Sequence, residues 1–75
     1  MELQVGTILV AKNPCVMTHG NSENKNALIV GKEYCVLSKD SYEISVKSEV
    51  AEMHRFELSD KNKNTSYKTY FDIKN

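Results

Sequence analysis

The clearest pattern of apolar and polar positions lies in the middle of the chain. Tyr42, Ile44 and Val46 alternate with Glu43, Ser45 and Lys47, a period of two that predicts a strand with one buried face. Upstream, between Ala27 and Lys39, the residues Leu28, Val30, Tyr34 and Val36 share one parity and so one sheet face. Gly31-Lys32 interrupts them as a bend or a break between two short strands. Lys39-Asp40-Ser41 reads as a tight turn, making 34–39 and 42–48 the arms of a hairpin. Nearer the start, Thr7 to Lys12 is a β-branched apolar run closed by Asn13-Pro14. Pro14 has no N–H for a ladder and biases Asn13 away from helix, so a strand ends there.

The segments between these strands are polar. His19 to Asn26 is rich in turn formers and reads as a loop. The long span Met17 to Asn26 makes it the first candidate for a functional loop. After the hairpin, residues 48–52 form a polar connection into a short strand over Met53 to Leu58, where His54, Phe56 and Leu58 share parity. Ser59 to Ser66 is a solvated loop. The last apolar group, Tyr67, Tyr70, Phe71 and Ile73, suggests a 3₁₀ or helical turn around Thr69 followed by a short strand. No window sustains helical spacing over three turns; Ser48 to Arg55 has a capping Ser but too few apolar positions.

Five short strands with tight connections predict an all-β chain curled into a small closed or half-open barrel, which removes exposed sheet edges. A chain of 75 residues supports one domain, 1–75. A core this small must use most of its large apolar side chains. The predicted core is Ile8, Val10, Leu28, Val30, Tyr34, Val36, Ile44, Val46, Phe56, Leu58 and Phe71.

The run Leu28-Ile29-Val30-Gly31-Lys32-Glu33-Tyr34-Cys35-Val36, followed by a turn, an alternating strand, His54-Arg55-Phe56 and the aromatic close Tyr70-Phe71, resembles a pattern of small bacteriophage proteins. The resemblance spans roughly Ile8 to Ile73 and implies a five-stranded SH3-like β-barrel. It departs from that pattern at Glu49-Val50-Ala51-Glu52, where an acidic turn containing Gly is usual. The motif speaks to fold; it implies an uncharacterised accessory protein of phage or mobile-element type rather than a particular activity.

Charge and chemistry narrow the function classes. Ten basic and ten acidic side chains cancel, so no global field draws the chain to nucleic acid or acidic membrane. No apolar run approaches a membrane span and the start lacks a basic n-region, which together predict a protein of the host cytoplasm. Cys15 and Cys35 stand in apolar company and read as reduced, core-type thiols. Cys15, His19, Cys35 and His54 complete a Cys₂His₂ donor set, but without the close ligand pairs of zinc modules, so no metal is expected. Asp60-Lys61-Asn62-Lys63-Asn64 opens like a calcium loop, yet Thr65 replaces its Gly and Phe71 its closing Glu. Cys15 with His19 lacks an orienting third group, Glu49 with Glu52 reads as a solvated turn, and nucleotide or nucleophile-elbow motifs are missing. No enzyme and no cofactor are expected.

Two binding readings follow. In the first, a protein partner, of host or phage, docks on Tyr42, Glu49 and Glu52, within an acidic stretch from Asp40 to Glu52 that holds a single Lys. In the second, nucleic acid binds the basic loop through Lys61, Lys63 and Lys68 with Tyr67 as a stacking ring. A homo-oligomer stays open, as does a small ligand held between its protomers.

Overall fold

The computed structural model describes residues 3–19 and 23–74, with side chains throughout except at 17–19 and 23–25. The chain runs β1 (Ile8–Ala11), β2 (Val16–His19), β3 (Glu23–Asn26), β4 (Glu33–Lys39), β5 (Glu43–Val46), β6 (His54–Glu57), α1 (Tyr67–Tyr70) and β7 (Phe71–Ile73). Five antiparallel strands in the order β6-β5-β4-β1-β7 curl into a half-barrel, and β2 pairs with β3 as a separate hairpin. The all-β class and the helical turn before the last strand are as the sequence predicts.

The curl has a local cause. Val36 lies opposite Val46, but Ser38 lies opposite Ser45, so Leu37 is an extra residue in β4. Such a bulge bends its strand and increases its twist. Before the bulge β4 pairs with β1; from Val36 onward it pairs with β5. One strand thereby serves both halves of the sheet. The far rim is drawn in by the loop after β6, where Glu57 N donates to Thr65 O at 2.8 Å and Glu57 bridges to Ser66. Buried Ser66 then caps α1 by accepting from Lys68 N.

The enclosed core joins Leu9, Leu28, Val36, Ile44 and Val46, all at 0% exposure, with Tyr34, Phe56 and Phe71. Phe56 and Phe71 meet edge to face at 5.1 Å, and Tyr34 meets Phe71 at 5.9 Å. Several expectations are corrected. In β1 the parity is reversed: Leu9 and Ala11 face inward, while Ile8 and Val10 are half-buried on the outer face. Leu9 sits opposite Tyr34, which fixes that choice. Val30 is exposed because Ile29 to Lys32 is a turn closed by Lys32 N donating to Ile29 O, with Gly31 at φ 91°. A positive φ at the third position defines this turn, and its second residue, Val30, projects outward. Gln4 to Thr7 repeats the device, with Gly6 at φ 94° and Val5 exposed. The segment read as a loop from His19 to Asn26 is in large part the strand β3 of the small hairpin. Cys35 is exposed, since its neighbours Tyr34 and Val36 take the inward positions. Cys15 is buried as its apolar company suggests, and Leu3 and Ala27 complete the core without having been expected there. Among the described residues no helix is long and apolar enough to cross a membrane.

Candidate functional site

The residues singled out from the sequence fall in three places. Tyr42, 78% exposed, stands in the turn before β5. Asp40 builds that turn, its Oδ1 accepting from Tyr42 N at 2.7 Å and Glu43 N at 2.8 Å. These two N–H groups hold the Asp40 carboxyl below its ordinary value. Glu49 and Glu52 follow β5 at its other end, so a whole strand separates them from Tyr42. Lys61, Lys63 and Lys68 are exposed and make no ion pair among the described residues, whereas Tyr67 is half-buried and leans on the core. The acidic set is therefore divided between the two ends of β5.

Glu49 is instead part of an internal clamp. Its Oε2 accepts from Lys32 Nζ at 2.7 Å and from the Tyr34 hydroxyl at 3.0 Å. The Tyr34 oxygen in turn accepts from Ile29 N at 2.8 Å, and Glu49 N donates to Ala27 O at 2.8 Å. Lys32 first, then Tyr34, holds the Glu49 carboxyl below the usual range. Burial pushes the Tyr34 hydroxyl up. The clamp fastens the β5–β6 connection to the turn before β4 and borders a depression of about 380 Å³. Every polar group named there already has a partner inside the chain.

A second groove, about 430 Å³, lies between the base of β2, the strand β6, the loop after it and α1. Cys15, His54, Phe56 and Tyr70 border it, and Val16, 62% exposed, stands at its rim. Local bonds bring these together. Asn13 Nδ2 donates to Thr69 O at 2.6 Å and Lys12 N to Tyr70 O at 2.8 Å, which lays the end of β1 along α1. Asn26 Oδ1 accepts from Cys15 N and Leu28 N, and Ala27 N donates to Cys15 O at 2.7 Å. Cys15 is thereby pinned beside Tyr70, whose hydroxyl donates to Asn64 O at 2.7 Å. His54 stacks on Phe56 at 4.6 Å, and Phe56 meets Tyr70 at 5.5 Å, a continuous aromatic row.

The electrostatics of this groove are close to neutral. Burial pushes the Cys15 thiol up and keeps it protonated. Burial also raises Tyr70, with the neighbouring Cys15 adding to it, and holds His54 below its ordinary value. Ser48 Oγ accepts from Val50 N at 3.2 Å and Ala51 N at 3.1 Å, reaches Ala51 O at 3.5 Å, and lies 3.1 Å from His54 Nδ1. Arg55 borders the groove from β6, and its guanidinium, 70% exposed, lies 3.9 Å from Glu43.

Metal ligation finds no cluster. Cys15 and His54 border one groove, Cys35 lies on the outer face, and the His19 side chain is outside the described residues. Among the described residues no three His, Cys, Asp or Glu side chains converge. The aromatic groove itself had no sequence signal beyond the separate readings of Cys15, His54 and Phe56. It depends on Cys15 meeting Tyr70 across more than fifty intervening residues. Comparison with family models, curated proteins and solved structures returned no match.

Proposed function

We propose that the chain is a non-enzymatic binding module of SH3-like architecture, an accessory protein of phage or mobile-element type that docks a protein partner in the host cytoplasm. The surface assigned to that partner is the aromatic groove between β2, β6 and α1. One observation carries the reading: a row of three rings and a buried thiol ends in an exposed Val16, with Arg55, Asn64 and Thr65 at the edge and no carboxylate bordering the groove among the described residues. Concave apolar surface with a few polar groups at its rim is what a docked side chain needs. The order β6-β5-β4-β1-β7, with a hairpin between β1 and β4 and a helical turn before β7, supports the SH3-like assignment. A thiol held protonated is a poor nucleophile, which favours binding over chemistry at this place.

The basic loop is the competing surface. Its three lysines are free of ion pairs among the described residues, but Tyr67 leans on the core and offers little ring for stacking. A photoreactive phenylalanine analogue at position 16, irradiated in the source cells and compared with one at position 42, tests the reading. A discrete protein adduct from position 16 alone is expected. Adducts removed by nuclease, or adducts from position 42 alone, overturn it.

A further inference from the structure

We infer that the partner enters this groove as an extended strand added to the free edge of β6, carrying an acidic side chain between two apolar ones. The inference rests on the groove being the docking surface and adds the form and charge of what docks.

The register of β5 and β6 fixes which main-chain groups are free. Leu58 N donates to Tyr42 O at 2.8 Å, beside the pairs Glu43↔Glu57, Ile44↔Phe56, Ser45↔Arg55 and Val46↔His54. Antiparallel ladders alternate bonded and non-bonded pairs. The bonded pairs are therefore those of Phe56 and His54, and the N–H and C=O of Arg55 and Glu57 point away from β5. Glu57 N is already taken by Thr65 O. The main-chain groups of Arg55 have no partner among the described residues. The loop thus seals one end of the edge and leaves Arg55 open, at the border of the aromatic groove.

An added strand would continue the sheet's alternation. Its residue opposite Arg55 shares the outer face with the guanidinium, and the two residues flanking it turn inward beside His54 and Phe56. Opposite charges directly across a pair of strands attract. The Arg55 side chain is 70% exposed, with Glu43 no closer than 3.9 Å, so it retains capacity for a second carboxylate. Within the groove the partner meets Val16, Phe56, Tyr70, Cys15 and His54, with the uncharged polar Asn64 and Thr65 beside them. The groove takes apolar side chains there and the outer face takes an acid.

The test is selection from a displayed library of random seven-residue segments, followed by titration of the best segment as a fluorescent synthetic peptide. Enrichment of an apolar–acidic–apolar core is expected. Arg55→Glu should switch the central preference to a basic residue while the circular dichroism spectrum stays that of the parent. Methylating the amide nitrogen of the acidic residue in the peptide should weaken binding about three- to tenfold, the loss of one main-chain hydrogen bond. Val16→Asp should abolish binding. No enrichment, enrichment indifferent to Arg55→Glu, or binding indifferent to amide methylation each overturns the strand proposal. A dimer that dissociates on Arg55→Pro would put a second copy on the edge and overturn it too. Should these fail while position 16 still cross-links a protein, the groove remains a docking surface and only the strand mode is lost.

Discussion

Two depressions are similar in size and differ in how far their groups are already engaged. In the one beside Lys32, Tyr34 and Glu49, these three side chains are engaged with one another. The one beside Cys15, His54 and Tyr70 is poorer in charge but keeps an exposed valine and an unbonded strand edge. A satisfied polar network has nothing left to offer a partner without breaking a bond it already holds. An apolar row with unpaired main-chain groups at its border gains from being covered. Acidic residues drew attention in the sequence, but availability is decided by what each group is already bonded to.

The comparison fails at its root if the floor of the aromatic groove is not also the wall of the core. Phe56 touches His54, Tyr70 and Phe71. Replacing it with Ala should cost about 3–5 kcal/mol, read by urea denaturation; a loss below about 1 kcal/mol would show that the groove is superficial. A smaller effect sharpens the clamp. Tyr34→Phe removes the acceptor for Ile29 N and the donor to Glu49, and should cost about 1 kcal/mol. Unchanged stability in the same assay would mean that these bonds are made equally well by water.

The smallest effect is the dependence on pH. The Glu49 carboxyl is held below its unfolded value by Lys32 and Tyr34, so it stabilises the fold fully above the ordinary carboxylate range. That contribution fades as pH falls through the depressed folded value. Melting temperatures of parent and Glu49→Gln should differ at neutral pH and converge in acid. A difference that stays constant down to pH about 3, below ordinary carboxylate values, would remove Glu49 from the clamp.

Legibility followed periodicity. The hairpin of β4 and β5 was readable because Tyr42 to Lys47 alternates and Lys39-Asp40-Ser41 can only turn. The aromatic close was readable because four apolar side chains crowd into Tyr67 to Ile73. β1 was found but its face was inverted, since Ile8, Leu9, Val10 and Ala11 are all apolar and give no parity. Val30 followed its neighbours' parity in the sequence and lost it in the structure, because the Gly31 turn resets the chain direction. β3 is Glu-Asn-Lys-Asn, a strand with no apolar pattern, held by pairing with β2 rather than by burial of its own. The candidate site was less legible still. Glu49 looked free because its partners Lys32 and Tyr34 lie at least fifteen residues away, and no local spacing announces a contact of that range.

The placement of β7 carries a consequence for assembly. It pairs with β1, Leu9 opposite Ile73, so everything from β1 to β7 must be in place before the sheet is complete. Contacts of such sequence separation are late and slow to form. Until they form, β1 is itself an edge, and Leu9 and Ala11 lack the cover that Phe71 provides. A chain cut before β7 would therefore present a sticky border, and proteolysis there would mark the protein for clumping.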